Sequence, residues 1–385
     1  MVVGGGLAGL QTLLALRGQG YAGHLTLVAA EAEPPYDRPP LSKALLAGAV
    51  EDTTLEADWA ALDVTRLHGR RATGLPRAGV LETDEGELGY DGLVLATGAS
   101  PVRLPGADSA MTLRTRADSL ALRARLRPGA RLVIVGAGWI GAEVATAAVR
   151  AGTHVTVVEA LAAPLASALP AAMGSRMLPW WSEVDMLLGA VVDAVEPDVV
   201  HLRSGARLPA DVVLVAVGAR PETAWLAGSA VALAERGAVA VDGALRTSAP
   251  GVFAVGDCAA WESPRYATRM HVEHWDNALH APTVAAANLL GGEERYDPVP
   301  YFWSEQWGRM VQYAGHHPAG DRVVWREDAE DRWAVFWLAG DRLVAALTVD
   351  RPRDLVQARK LMRSAQSVDA ALLADPAVAV KAAAR

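Results

Sequence analysis

Residues 131–159 read RLVIVGAGWIGAEVATAAVRAGTHVTVVE, and this stretch decides the fold. An apolar run ends in the segment Gly136-Ala137-Gly138-Trp139-Ile140-Gly141, and an alanine-rich helical segment then leads to a second apolar run closed by Glu159. Strand, glycine turn, helix, strand and acid, in this order, form the full context of a dinucleotide-binding fingerprint. A Rossmann-like strand pair that binds no ligand is the alternative interpretation.

Each glycine of this fingerprint has a predicted role. Gly136 permits the tight turn, Gly138 lets the backbone approach a pyrophosphate, and Gly141 lets the helix pack closely on the sheet. The helix N-terminus then presents free N–H groups to the phosphates, and Ile140 is a further predicted contact. Glu159 lies where a carboxylate can accept hydrogen bonds from ribose hydroxyls and would repel a 2′-phosphate, so we predict NADH rather than NADPH.

A second glycine pattern, Gly4-Gly5-Gly6-Leu7-Ala8-Gly9, opens the chain behind a short apolar run. Two such units imply two dinucleotides, one bound permanently and one exchanging. The acid that should contact the ribose of the first dinucleotide comes late, because position 30 is alanine. We therefore predict Glu31 for this contact, with Glu33 in reserve, and the loop contacts are Gly4, Gly6, Ala8 and Gly9.

Composition narrows the class of protein. The chain has 385 residues, of which 51% are hydrophobic, enough for two or three domains. Its net charge of −8 argues against general nucleic-acid binding. No apolar run reaches the roughly 18 to 20 residues that span a bilayer, and no signal peptide is recognisable. The single cysteine, Cys258, allows no internal disulfide and fits a reducing cytoplasm, and no Cys/His cluster has metal-ligand spacing.

A proline-rich stretch, YDRPPLSK at residues 36–43, carries two bases. Because proline fixes backbone angles, this loop can hold Arg38 and Lys43 at a set place beside a cofactor. A rigid surface loop with solvated bases is the alternative. An apolar strand that ends in Ala96-Thr97-Gly98 and another that ends in Val255-Gly256-Asp257 complete the marked segments.

In their order along the chain, these five motifs resemble those of the NADH-dependent ferredoxin reductases of bacterial oxygenase systems, of the putidaredoxin reductase and biphenyl dioxygenase reductase type. The resemblance covers nearly the whole length. It implies an α/β fold with two Rossmann-like dinucleotide-binding domains of the glutathione-reductase type, in which the NADH domain is inserted in the FAD domain, and a C-terminal α+β domain. The implied ranges are 1–104 and 229–299 for FAD, 105–228 for NADH, and 300–385 for the C-terminal domain.

The resemblance also implies roles for single residues. Besides the glycine loops and Glu31, the implied FAD contacts are Arg38, Lys43, Ala72, Arg114, Asp257 and Trp275, and Gly218 is an implied NADH contact. An ion pair between Lys43 and Glu143 would lie near the flavin N5, where the lysine stabilises negative charge on the reduced flavin. Trp303 would lie between the flavin ring and solvent.

Simpler interpretations of these residues stay open at this point. Arg114 can be a solvated base, Asp257 a helix cap and Glu143 a first-turn acid that favours the helix dipole. Trp303 can be a core residue. Three histidines, His271, His274 and His280, come close together, but the resemblance implies no metal.

The function implied is hydride transfer from NADH to FAD, followed by single-electron transfer to two [2Fe–2S] ferredoxins that supply a cytochrome P450 or Rieske oxygenase. Residues 1–100 contain no cysteine, so a thiol relay is excluded and the electrons must leave the flavin for an external acceptor. The alternatives are a rubredoxin reductase and a flavoprotein of the apoptosis-inducing-factor type, which senses NADH without an electron-transfer role. We expect a cytoplasmic monomer or homodimer.

Beyond residue 299 the aromatic residues lie on short alternating runs, which predict an antiparallel sheet. Residues 351–363 then carry five bases and one acid. This stretch can attract an acidic ferredoxin by electrostatic steering, and a solvated helix face is the alternative. The bases are Arg351, Arg353, Arg359, Lys360 and Arg363, and the acid is Asp354.

Overall fold

A computed structural model describes residues 1–329 and 331–385. The elements of the first hundred residues are, in order, β1 (Val2–Val3), α1 (Leu7–Gly18), β2 (Leu25–Ala29), α2 (Trp59–Leu62), β3 (Val64–His68), β4 (Ala72–Arg77), β5 (Val80–Thr83), β6 (Gly86–Gly89), β7 (Leu93–Leu95) and β8 (Ala99–Pro101). Strands β1, β2, β3 and β7 run parallel in one sheet. All residues of β1, β2 and β7 are buried, as expected of a parallel sheet that is covered on both faces.

The next segment builds a second unit around a parallel sheet of its own. Its elements are α3 (Arg116–Arg123), β9 (Arg131–Val135), α4 (Trp139–Arg150), β10 (His154–Glu159), α5 (Ala171–Met177), β11 (Asp185–Leu188), β12 (Val192–Glu196), β13 (Val199–Leu202), β14 (Arg207–Pro209), β15 (Val212–Val215) and β16 (Ala219–Pro221). Four of these strands form a parallel sheet in the order β11-β10-β9-β15. Strand β16 pairs antiparallel with β8, so the chain leaves and re-enters the first unit side by side.

The chain then returns to the first unit. It forms β17 (Val239–Val241), β18 (Val252–Ala254), β19 (Ala259–Ser263), β20 (Thr268–Met270) and α6 (Trp275–Leu289). Strand β18 joins the first sheet beside β7 and completes the order β18-β7-β1-β2-β3. Helix α6 packs against α1. The first unit is therefore built from two segments of the chain, one before and one after the second unit.

The last 85 residues form a separate layer. Their elements are β21 (Tyr301–Gln306), β22 (Arg309–Gly315), β23 (Arg322–Ala329), β24 (Arg332–Ala339), β25 (Arg342–Val349), α7 (Pro352–Ser364) and α8 (Ala370–Ala374). The five strands are antiparallel in the order β21-β22-β25-β24-β23, and α7 packs on the sheet. The α/β architecture with a C-terminal α+β part is therefore confirmed.

Both fingerprint helices begin inside their glycine segments. Helix α1 starts at Leu7, and α4 starts at Trp139. Gly6 and Gly138 are the residues that precede the first turns, in extended conformation. Across residues 1–329 and 331–385, none of the helices combines the length and apolar character needed to cross a bilayer.

Candidate functional site

A cavity of about 1100 Å³ lies where the two parallel sheets approach the C-terminal sheet. Most of the residues selected from the sequence line it, although they are spread over 300 positions of the chain. Those on its wall are Gly4, Gly6, Ala8, Glu31, Arg38, Lys43, Ala72, Arg114, Gly136, Gly138, Ile140, Glu143, Glu159, Gly218, Asp257, Trp275 and Trp303.

Gly9 and Gly141 lie behind this wall. A Cβ atom at Gly9 would overlap the carbonyl oxygen of Gly4, and one at Gly141 would overlap that of Gly136. The third glycine of each pattern therefore lets the helix cross its own loop, which is the packing role predicted for Gly141.

Packing within the protein does not explain why the middle residues, Gly6 and Gly138, are glycines. A Cβ at Gly6 would meet no atom within 4 Å, and one at Gly138 would meet only the carbonyl oxygen of Ala216, at 3.9 Å. Their φ angles of −88° and −78° suit any residue. Because both face the cavity at a helix N-terminus, the missing side chain leaves room there for a ligand, beside N–H groups that favour an anion.

Glu31, predicted to contact a ribose, is already engaged by protein groups. Arg38 Nη2 lies 2.6 Å from Glu31 Oε1, and the hydroxyl of Tyr36 donates to Oε2. Burial raises the pKa of Tyr36 to about 12, so this hydroxyl keeps its proton. Glu31 thus orients Arg38 at the cavity, a role that the sequence did not suggest.

The 36–43 loop is tied to two distant predicted residues. Arg38 Nη1 donates to the carbonyl oxygen of Arg114 at 2.7 Å, and Trp275 Nε1 donates to Asp37 Oδ1 at 2.7 Å. Arg114 Nη2 in turn lies 3.0 Å from Asp257 Oδ2. These interactions join four residues that were predicted to contact FAD in one network on the first unit's side of the cavity. The four are Arg38, Arg114, Asp257 and Trp275.

Lys43 and Glu143 form an ion pair, with 2.8 Å between Nζ and Oε2. Glu143 is only 4% exposed, and its carboxylate also accepts hydrogen bonds from the hydroxyls of Ser42 and Ser304. Three parts of the chain meet here: the 36–43 loop, helix α4 and strand β21. Ser42 lies within the 36–43 stretch noted in the sequence, but its contact with Glu143 and that of Ser304 each cross more than 100 residues and could not be read from the sequence.

Glu159 ends β10 beside the second glycine loop. Its Oε2 accepts the backbone N–H of Ala137 and its Oε1 that of Leu161, each at 2.8 Å. A carboxylate oxygen can accept more than one hydrogen bond, so the side chain can hold the loop and still accept a ribose hydroxyl.

Aromatic side chains close the C-terminal side of the cavity. Trp303 meets Trp275 edge-on at 5.9 Å and stacks on Tyr301 at 6.0 Å between ring centroids. Phe302 contacts Trp139 and His274, each at 4.8 Å. Phe302, Trp139 and His274 also line the cavity and were not predicted as site residues. Burial lowers the pKa of His274 to about 4, so this ring is neutral at pH 7.

Cys258 does not line the cavity. It is buried, its thiol donates to the carbonyl oxygens of Val255 at 3.3 Å and Leu95 at 3.5 Å, and burial raises its pKa. Within the part of the chain that the structure describes, no group of three or more His, Cys, Asp or Glu side chains is arranged to hold a metal ion. Of the three histidines noted in the sequence, His271 contacts the carbonyl oxygen of Asp257, His274 the ring of Phe302, and His280 the carbonyl oxygen of Asp276.

Helix α7 corrects the expectation of a five-base surface. Arg351 is 8% exposed and its Nε lies 2.5 Å from Asp354, which is itself buried. Arg359 lies over the ring of Tyr301, 4.5 Å from its centroid, and pairs with Asp276 at 3.6 Å. The bases that remain exposed are Arg353, Lys360 and Arg363.

Comparison with known proteins places this site in a family. The pyridine nucleotide-disulphide oxidoreductase family matches residues 1–281, and the reductase C-terminal family matches residues 301–384. Putidaredoxin reductase of Pseudomonas putida is 34% identical over 99% of this chain and 95% of its own length. The ferredoxin–NAD(+) reductase component of the anthranilate 1,2-dioxygenase system of Burkholderia cepacia is 37% identical over 99% of this chain and 98% of its own.

Solved structures agree over the whole length. The crystal structure of Fdr9 superposes with a TM-score of 0.94 at 48% identity, and covers 98% of both chains. Putidaredoxin reductase in its covalent complex with putidaredoxin superposes with a TM-score of 0.93 at 33% identity, and covers 99% of this chain and 96% of that one. The chain therefore belongs to the pyridine nucleotide-disulphide oxidoreductase family, with the reductase C-terminal domain of the ferredoxin reductases.

Proposed function

We propose that this chain is an NADH-dependent, FAD-containing ferredoxin reductase. One observation carries the proposal: both glycine loops open into a single cavity that holds the Lys43–Glu143 pair and that, within the described residues, is lined by no cysteine. Two dinucleotides can meet there, and the electrons then have no thiol to pass through. The curated relatives include reductases that are named as partners of ferredoxins in oxygenase systems, which supports the same acceptor.

The chain's residues divide the work between two nucleotides. Gly6, with Arg38 and the Arg114–Asp257 pair, would hold FAD, and Gly138 with Glu159 would hold NADH. When bound, FAD supplies the capacity to accept two electrons as a hydride and to release them singly. The domain ranges 1–104 with 229–299, 105–228 and 300–385 remain our proposal for this division.

Lys43 contributes positive charge at the centre of the cavity. The Lys43 side chain is 18% exposed and its ammonium is fixed by Glu143, so little reorientation is needed when negative charge develops beside it. A fixed charge in a site with little water stabilises developing charge more than a mobile one in solvent. The role of Lys43 is thus electrostatic, and no proton is assigned to it.

The acceptor would approach the C-terminal side. Trp303 lines the cavity and stacks on Tyr301, which Arg359 of α7 covers. The exposed bases of α7 lie on the same helix, and a basic face favours an acidic [2Fe–2S] ferredoxin through long-range attraction. That ferredoxin would serve a P450 or Rieske oxygenase. The reductase would act in the cytoplasm, as a monomer or homodimer.

Anaerobic stopped-flow mixing tests the proposal. The purified yellow protein should lose its flavin absorbance rapidly with NADH and much more slowly with NADPH. Cytochrome c reduction should then require an added [2Fe–2S] ferredoxin. Slow reduction by both nucleotides, or fast reduction without turnover of any one-electron acceptor, would instead favour an NADH-sensing flavoprotein. A colourless protein that takes up no FAD would refute the proposal.

A further inference from the structure

We propose that Ser304 is a positioning residue for the Lys43–Glu143 pair: its hydroxyl holds Glu143 as a carboxylate, so that the C-terminal sheet sets the charge at the centre of the cavity. The inference rests on the proposed function for its redox consequence, but the hydrogen bond and its effect on Glu143 do not depend on it. Ser304 is a strand residue that no sequence motif marks.

Burial is the reason that Glu143 needs such a partner. Its residue is 4% exposed and Ser304 is 1% exposed, so water does not solvate the contact. A buried carboxylate stays ionised only where hydrogen-bond donors and a counter-charge replace the lost water. Each donor to this carboxylate therefore contributes to its charge state.

The two carboxylate oxygens of Glu143 accept different numbers of hydrogen bonds. Oε2 accepts from both Lys43 Nζ and the Ser42 hydroxyl. Oε1 accepts from the Ser304 hydroxyl, its one donor within residues 1–329 and 331–385. Loss of the Ser42 hydroxyl would leave Oε2 with the ammonium, whereas loss of the Ser304 hydroxyl would leave Oε1 buried without a donor.

The Ser304 hydroxyl is itself oriented. Gln306 Nε2 donates to Ser304 Oγ at 3.4 Å, and Gln306 is 1% exposed. Because the serine oxygen accepts from Gln306, its own proton points to Glu143. The C-terminal sheet thus directs a donor toward helix α4.

A second contact fixes the register of helix and strand. The backbone N–H of Trp307 donates to Thr146 Oγ1 at 3.0 Å. Thr146 lies three residues after Glu143, and Trp307 lies three residues after Ser304, so α4 and the β21–β22 hairpin are joined at two successive points. Trp303, next to Ser304, lines the cavity. The same strand therefore carries the aromatic wall and the donor to the charge pair.

The net charge of the Lys43–Glu143 pair depends on whether Glu143 carries a proton. With Glu143 ionised, the carboxylate and the Lys43 ammonium cancel. With a proton on Glu143, the pair carries one positive charge beside the cavity, and a positive charge there favours the reduced form of a bound flavin. Ser304 would hold the flavin potential down by keeping the carboxylate ionised.

Infrared spectroscopy of the purified flavoprotein tests this at neutral pH. Ser304→Ala should show a protonated-carboxyl band that wild type lacks and that Ser304→Ala/Glu143→Gln also lacks. Ser42→Ala should show a weaker band, since Oε2 keeps Lys43. Ser304→Thr keeps the hydroxyl. Thr146→Val removes the second contact between α4 and the hairpin, together with a hydrogen bond to the carbonyl oxygen of Ala142 inside α4, but leaves Ser304 in place. Both variants should resemble wild type.

The flavin midpoint potential gives a second readout. Ser304→Ala should shift it to more positive values, and Thr146→Val should leave it unchanged. If Ser304→Ala gives no such band, or if both variants shift the potential equally, the positioning role is wrong and the serine only joins two elements. If Ser304→Ala does not fold, Ser304→Cys keeps a weak donor of similar size and should give a band of intermediate strength; its absence would equally contradict the role. A wild-type protein that NADH fails to reduce would refute the proposed function while leaving the infrared comparison intact.

Discussion

At the scale of the residue, Lys43 is the side chain on which the proposed chemistry most depends. Its ammonium lies 2.8 Å from Glu143 and faces the cavity shared by both glycine loops. Lys43→Ala should slow flavin reduction by NADH by about tenfold or more, because a preorganised charge that stabilises the transition state is lost. Stopped-flow absorbance measures the rate. Lys381→Ala, at an exposed lysine outside the cavity, is the control and should leave the rate unchanged.

Glu159 carries the prediction on nucleotide choice. Glu159→Gln keeps one oxygen, which can accept one of the two backbone N–H groups now bound by the carboxylate, and it removes the charge that repels a 2′-phosphate. The ratio of kcat/KM for NADH to that for NADPH should fall by about tenfold, the equivalent of roughly 1.4 kcal/mol. Glu196→Gln, an exposed acid not on the cavity wall, should keep the wild-type ratio. An unchanged ratio for Glu159→Gln would show that the discrimination arises elsewhere.

At the scale of the element, the turn from β9 into α4 contains one glycine that should matter for ligand binding and another that should matter for stability. Gly138→Ala should keep the stability of the protein, because its Cβ meets nothing closer than 3.9 Å, but it should raise the KM for NADH by about tenfold or more as the methyl group enters the pyrophosphate space. Initial rates at varied NADH, together with a thermal melt, measure both effects.

Gly141→Ala is the matched change three residues on. Its Cβ would overlap the carbonyl oxygen of Gly136, so we expect a loss of about 1–3 kcal/mol or more in the free energy of unfolding. A Gly138→Ala variant that unfolds as readily as Gly141→Ala would contradict the distinction between the two glycines.

At the scale of the whole molecule, the C-terminal layer depends on a buried ionic cluster. Arg326 is 2% exposed, its Nε lies 3.1 Å from Asp354 Oδ2, and its Nη1 donates to the carbonyl oxygen of Leu373 at 3.0 Å. Asp354→Ala would remove a buried carboxylate that contacts both Arg326 and Arg351, at a cost of about 3–5 kcal/mol. Urea unfolding measures it. Glu87→Ala breaks an exposed pair with Arg77 and should cost at most about 1 kcal/mol.

The exposed face of α7 provides the test of acceptor docking. Reversal of Arg353, Lys360 and Arg363 to glutamate should raise the KM for an acidic ferredoxin and weaken its salt dependence, while flavin reduction by NADH stays unchanged. Ferredoxin-dependent cytochrome c reduction at several ionic strengths measures this. Equal kinetics in the triple variant would place docking on another surface.

The sequence by itself determined the local parts of this protein. Glycine spacing, apolar runs and the terminal acid predicted both nucleotide-binding turns, because these features act within about 30 residues and their geometry is set by backbone sterics. Alternating aromatic residues predicted the C-terminal sheet for the same reason. The two glycine loops were visible as separate motifs, each with its own helix.

Only the tertiary structure decided how those parts meet. The hydroxyls of Ser42 and Ser304 reach Glu143 from segments more than 100 residues away, and Phe302 and Trp139 join the cavity wall in the same way. Likewise, five bases in one stretch were reduced to three exposed ones, since Arg351 and Arg359 pair with acids. Such partners depend on which surfaces become buried together, and burial is a property of the packed chain rather than of neighbours in sequence.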